Sequence, residues 1–167
     1  MSNPFVAICN EQMAFSRYHL DLLMDLQQPS SCASIKSRAQ IQAVCTALNL
    51  SLQAYLNELA VTLLGKVGSM GSVSALSKAI AVKGVYSADV VELECLSGLE
   101  GSWLKVIEGY HMASASLTLF AAPVPLDASM IASTRVLLPE PKLEALRAAF
   151  GSMNEMILRQ RSNNIEC

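Results

Sequence analysis

Charge is scarce in this chain. Its 167 residues hold 12 basic and 14 acidic side chains, 16% in all, where a typical soluble domain carries roughly 25%. Disordered chains combine high charge with low hydrophobicity, and this one is 52% hydrophobic. A nucleic-acid binder needs a basic patch that displaces counterions. Here the charges are scattered, sum to −2 and form no block of either sign. The balance points to a chain that hides more of its surface than usual, in a large core, an oligomer interface or a partner groove.

Ligand pairs are missing too. Five cysteines (Cys9, Cys32, Cys45, Cys95 and Cys167) make an odd count without any C-x-x-C, and there are two histidines. Structural zinc sites and dithiol redox motifs both need closely spaced pairs, so no metal and no cofactor is expected. Cys9 and Cys45 fall on the apolar faces of expected helices and read as core residues.

The opening MSNPFVAICNEQMAF lacks a positive start, and Glu11 interrupts its apolar run, unlike a secretory signal. The longest charge-free stretch, Ala39 to Asn57, contains Gln40, Gln42, Thr46, Asn49, Ser51, Gln53 and Asn57. That polar load is costly in hydrocarbon, and the stretch reads as a buried helix. No helix joins a lysine- and arginine-rich face to a large apolar one, as a membrane-surface helix would. The expectation is a cytoplasmic chain with no membrane attachment.

Strand-like alternation is hard to find, and the apolar period is near 3.6 almost throughout. Asn3-Pro4 makes a helix start, a capping side chain followed by a residue that needs no amide partner. The first helix is expected to run to about Leu26, before Pro29. A second spans about Ser34 to Leu64, with Ile41, Val44, Cys45, Leu48, Leu52, Tyr55, Leu56, Leu59 and Leu63 as its main stripe. Its back carries Ala43, Ala47, Leu50, Ala54 and Val61 rather than charges, which places it centrally in a bundle or at an oligomer interface. A short helix follows from about Ser74 to Lys83, ending at Gly84. The next region begins after Ser87, breaks around Ser97 to Gly101 and resumes behind Ser102. There Trp103, Val106, Tyr110, Ala113, Leu117 and Phe120 form a seam at alternating steps of three and four. Pro123 and Pro125 end it, and Pro141 opens the last helix, with Leu143, Leu146, Phe150, Met153 and Ile157 in line. The sequence predicts an all-α fold, an antiparallel up-and-down helical bundle of four long helices plus one short helix. It is read as one domain over residues 1–167, with about 162–167 as a frayed tail.

Three stretches invite chemical readings. GKVGSMGS, residues 65–72, suggests a phosphate cradle. A P-loop, however, follows a strand and places Ser or Thr directly after its lysine. Here a long helix precedes, and Val67 follows Lys66. Gly65 instead suits a left-handed helix cap. Glu108-Gly-Tyr-His111 has the E-x-x-H spacing of di-iron bundles, but those need a second such helix and two further glutamates. A helical-bundle ribonuclease would want an arginine a few residues before a histidine; His19 has Arg17 only two residues away, and His111 has Lys105. No G-x-S-x-G elbow is present.

The third stretch is the most informative. Gln12, Ser16 and His19 fall inside the apolar arc of the first helix, at steps of four and three. Buried polar groups need partners, so these three form either a structural network or the polar wall of a ligand-binding pocket, with His19 as its titratable member.

Asn10 to Phe15, Ser102-Trp103-Leu104, Met130-Ile131-Ala132-Ser133 and Arg159-Gln160-Arg161 together resemble a family of small uncharacterised helical proteins from gamma-proteobacteria. The resemblance implies a bacterial cytosolic helical protein and transfers no functional residue. Two functions are therefore expected: a non-enzymatic interaction or adaptor protein with a protein partner or a homo-oligomeric state, or a small-molecule binder or enzyme with its pocket at Gln12, Ser16 and His19.

Overall fold

In the computed structural model, residues 3–25, 33–65, 69–110 and 142–165 are described. All their regular elements are helices: α1 (Pro4–Asp25), α2 (Ala33–Leu64), α3 (Val73–Val82), α4 (Ala88–Gly98), α5 (residues 103–110) and α6 (Leu143–Ile165). The all-α fold expected from the periodicity is the fold observed. Lys66, His111, Cys32, Cys167, residues 130–133 and the part of the expected seam beyond Tyr110 lie outside the described residues.

Local chemistry sets most of the helix ends. Asn3 caps α1, its Oδ1 accepting from the Phe5 amide at 3.1 Å. Ser72 and Ser87 cap α3 and α4 from extended backbone, each accepting from the amide three residues on. Ser102 does the same for α5, accepting from the Lys105 amide at 3.2 Å. Gly65 and Gly84 take φ of +64° and +65°, the left-handed conformation that lets a chain leave a helix without a Cβ clash.

The pairwise contacts give the directions. Asn3 at the start of α1 donates to the Glu58 carbonyl near the end of α2, and His19 meets Gln40, so α1 and α2 are antiparallel. Asn10 meets Arg161, while Arg17 and Leu20 share a cavity wall with Arg147 and Phe150, so α6 also runs against α1. α1 offers Cys9, Met13, Ser16, Leu20 and Leu23 to the interior, at steps of four and three that keep one seam on a partner helix.

α2 is the axis of the packing. From Ala54 to Ala60 every residue is buried, Asn57 and Glu58 included, so this stretch of the helix is enclosed on all sides. Its first half, around residues 36–50, leaves one side exposed. In α5 the seam differs from expectation. Trp103, Leu104 and Ile107 are buried, whereas Val106 and Tyr110 are half-buried. The helix is rotated toward Leu104 and Ile107, because the burial of α5 covers a wider arc than a single coiled-coil stripe.

Two polar residues of α2 are explained by what they hold. Asn57 brackets the backbone of Met70, accepting from its amide at 2.9 Å and donating to its carbonyl at 3.3 Å. It anchors Met70, just ahead of α3, against α2. Asn57→Ala is expected to cost about 1–3 kcal/mol, the price of leaving such groups unmade, read as a lower urea midpoint at unchanged slope. Ser51 bonds to the Ala47 carbonyl of its own helix at 2.9 Å.

The last helix runs on to Ile165, past Arg161, where fraying was expected. Arg161 is held by Glu58 and Asn10, and Ser162 bonds back to the Leu158 carbonyl at 2.9 Å. The contacts with α1 and α2 thus reach as far as Arg161.

Candidate functional site

The three residues singled out on α1 part company. Ser16 is fully buried, and its hydroxyl donates to the Gln12 carbonyl of its own helix at 2.9 Å. It is a small side chain at the contact of α1 with its neighbours and lines no cavity with the other two. Helical geometry explains the split. At 100° per residue, Gln12 and His19 sit about 40° and 60° to one side of Ser16. That rotation moves both to the edge of the interface, where they border a groove between α1 and α2.

The groove has a volume of about 410 Å³, and its walls include Gln12, Phe15 and His19 from α1 with Ala43, Thr46 and Leu50 from α2. No carboxylate, lysine or arginine lines it. His19 is fixed by a 2.7 Å bond from Nδ1 to the Gln40 side-chain oxygen. That oxygen only accepts, so Nδ1 donates in this contact. Tyr18 meets the same imidazole edge to face, with ring centres 5.5 Å apart. The groove's two largest apolar side chains stay in water: Phe15 is 46% exposed and Leu50 42%.

The strongest polar constellation lies elsewhere. Arg161 of α6 grips Glu58 of α2 with two bonds, Nε to Oε1 at 2.8 Å and the terminal nitrogen Nη2 to Oε2 at 2.6 Å. It also donates to Asn10 of α1 at 2.8 Å. The pair is largely buried, with the two side chains 20% and 10% exposed. Bonding to Glu58 holds the Arg161 guanidinium above its ordinary value, against the opposing effect of burial. Next to it, the buried Tyr55 hydroxyl donates to the Gln160 side-chain oxygen. The Gln160 amide passes the chain on to Glu92 of α4 at 2.9 Å, and Arg159 closes on the same carboxylate. Four helices are tied by side chains that fill one another's bonding capacity, and no buried side-chain nitrogen or oxygen is left without a partner among the described residues.

The reading of α1 missed this network. One sign of it was present in the sequence: Glu58 is the sole carboxylate in the 32 residues of α2, set between Leu56 and Leu59. A lone acid in an apolar run needs a distant cation.

Other chemistry finds less support in the geometry. Among the described residues no three His, Cys, Asp or Glu side chains converge as a metal-binding set. Glu108 is half-buried, and its expected companion His111 lies outside the described residues. Burial pushes the Cys9 thiol up to about 11 and the Cys45 thiol to about 12. Both are therefore protonated near neutrality and poor nucleophiles. A cleft of about 490 Å³ is walled by Trp103, Glu155 and the Glu92–Arg159 pair. No described helix is long and apolar enough to cross a membrane.

The chain stands apart in comparison. It matches no family model, no curated protein and no solved structure. The geometry of its own surfaces is what bears on function.

Proposed function

We propose that this is a cytoplasmic, non-enzymatic helical interaction protein, and that its α1/α2 groove receives the same groove of a second copy. The observation that carries this reading is the uncharged groove with Phe15 and Leu50 left exposed on opposite walls.

Spacing supports it. Ile8, Gln12, Phe15, His19 and Leu22 on α1 follow steps of four, three, four and three, and Ala39, Ala43, Thr46 and Leu50 on α2 follow four, three and four. Such steps keep a strip of side chains facing a neighbouring helix. The two walls also differ in a complementary way. The α1 strip carries bulky Ile8 and Phe15, and outside the flank that holds Arg17 and Asp21 the charges of α1 are Glu11 and Asp25. The α2 wall is mostly small, and the adjoining part of α2 holds Lys36 and Arg38 with no carboxylate before Glu58. A two-fold axis parallel to the helices sets α1 of one copy on α2 of the other. Large then meets small and acidic meets basic, twice over, as an isologous interface requires.

The ligand-pocket alternative is weaker, because Ser16 is committed to its own helix and the remaining walls are broad and shallow. The test is sedimentation velocity over a range of concentrations. A dimer is expected for the native chain, and Phe15→Glu or Ala43→Glu should convert it to a monomer of unchanged helicity, since both residues lie outside the closed core. A native chain that stays monomeric at high micromolar concentration would sink the proposal, as would a dimer indifferent to both substitutions.

A further inference from the structure

A different cavity lies on the other flank of α1, some 100° or more around the helix from the groove strip by its 3.6-residue turn. It occupies about 350 Å³ between α1 and α6, with walls from Arg17, Leu20, Asp21, Met24, Arg147 and Phe150. That volume is at the lower end of the range for small-molecule sites. The floor is apolar: Leu20 is buried, Phe150 is half-buried, and Met24 is one of the large apolar side chains left exposed.

The charges around this floor do not balance. Two guanidiniums arrive from different helices, and one carboxylate, Asp21, stands with them. Arg17 and Arg147 form no ion pair or hydrogen bond among the described residues, in contrast to Arg159 and Arg161, which are paired. Arg17 and Asp21 are one helical turn apart on α1, a spacing that favours pairing, and yet they do not pair. Two unpartnered arginines around an apolar floor supply both halves of one recognition problem. Planar guanidinium forks match a carboxylate, and the floor removes a hydrocarbon chain from water.

We propose that this cavity binds a monocarboxylate with a short aliphatic chain, its carboxylate between Arg17 and Arg147 and its chain over Leu20, Met24 and Phe150. A bound carboxylate brings the local count to two positive and two negative groups. Asp21 opposes the ligand, which sets the affinity below what two arginines alone would give.

The experiment is a calorimetric and thermal-shift titration of the full chain with octanoate, octanol and octylammonium. Octanoate is expected to bind and to raise the melting temperature, octanol to bind at least tenfold more weakly, and octylammonium not at all. Arg17→Gln and Arg147→Gln should each weaken octanoate about tenfold, and the double variant should abolish its advantage over octanol. Asp21→Asn should tighten octanoate several-fold, a gain that damage to the fold cannot mimic. All three positions are exposed, so the variants retain the native core, which circular dichroism checks. Equal binding of octanoate and octanol overturns the assignment. So does octanoate binding that survives the double variant, or an absence of octanoate binding at millimolar concentration. None of these outcomes depends on the oligomeric state, so this site and the proposed dimer stand or fall separately.

Discussion

Glu58→Ala is expected to destabilise the fold by about 3–5 kcal/mol, the usual cost of stripping one partner from a buried ion pair. The Arg161 side chain keeps 20% of its surface in water, which places the expected loss toward the lower end. The cost arises because the guanidinium stays where it is. Arg161 extends from an α6 anchored by Leu146, Met153, Met156 and Ile157 in the core, and Asn10 accepts only one of its bonds. Removing Glu58 leaves the Nε and one terminal nitrogen without an acceptor in a place that water reaches poorly.

The matched control is Glu58→Leu with Arg161→Met, which removes both charges and keeps the volume. It should recover more than half of the loss, because an apolar pair of similar shape is often as stable as the ions it replaces. Urea denaturation of the two singles and the double gives a coupling energy, expected above about 1 kcal/mol for groups in one network. A double variant as unstable as the sum of the singles would mean that the pair is not the buried unit described here.

That network shows where reading the sequence reaches its limit. Asn3, Ser87, Ser102, Gly65 and Gly84 were legible because capping is local: a side chain or a missing Cβ acts within three or four residues. The all-α fold was legible because apolar spacing is local too. The Glu58–Arg161 pair spans 103 residues, and nothing in either neighbourhood names the other. Arg161 even read as the edge of a frayed tail, for a polar C-terminus and an anchored one look alike until the helix it docks on is known.

Helix phase was legible only to within a residue or so. Gln12, Ser16 and His19 stood out as polar residues on an apolar arc, but about 60° of rotation separates the core serine from the groove-lining histidine, and the arc is wider than that. The same limit applies to α5. Leu104 and Ile107 were left out of a seam chosen for its regular steps, and they are fully or nearly fully buried. The open side of α2 was visible in Ala43 and Leu50. Which stretch of the helix is enclosed and which is open could not be read from it, since alanines sit on that side in both.

Alkaline conditions should unfold this protein well before exposed lysines alone would account for it. Burial raises three acids in the core: Cys9 to about 11, Cys45 to about 12, and Tyr55 further still. For Cys9 the neighbouring Arg161 pulls the other way and does not overcome burial. Each group binds its proton more tightly folded than unfolded, so the folded state holds more protons once the pH passes the ordinary thiol value of 9.0. Stability therefore falls as pH rises through that window. Below 9.0 both thiols are protonated in both states and contribute no slope. Between 9.0 and about 11 the unfolded chain ionises while Cys9 and Cys45 stay neutral inside, and each loses about 1.4 kcal/mol per pH unit of folding advantage.

Across that window the two together lose on the order of 4–6 kcal/mol, comparable to the whole stability of many single domains. Urea midpoints measured at stepped pH should be level below 9.0 and drop steeply above it. Cys45→Ala should reduce the slope by about half while lowering the plateau through its lost packing. Thiol labelling followed by mass spectrometry gives the matching kinetic picture. The exposed Cys95 reacts in the native state, and the buried Cys9 and Cys45 react only at the rate of unfolding. A profile that stays level to pH 11, or a slope that Cys45→Ala leaves untouched, would show that these thiols are not held neutral in a closed core.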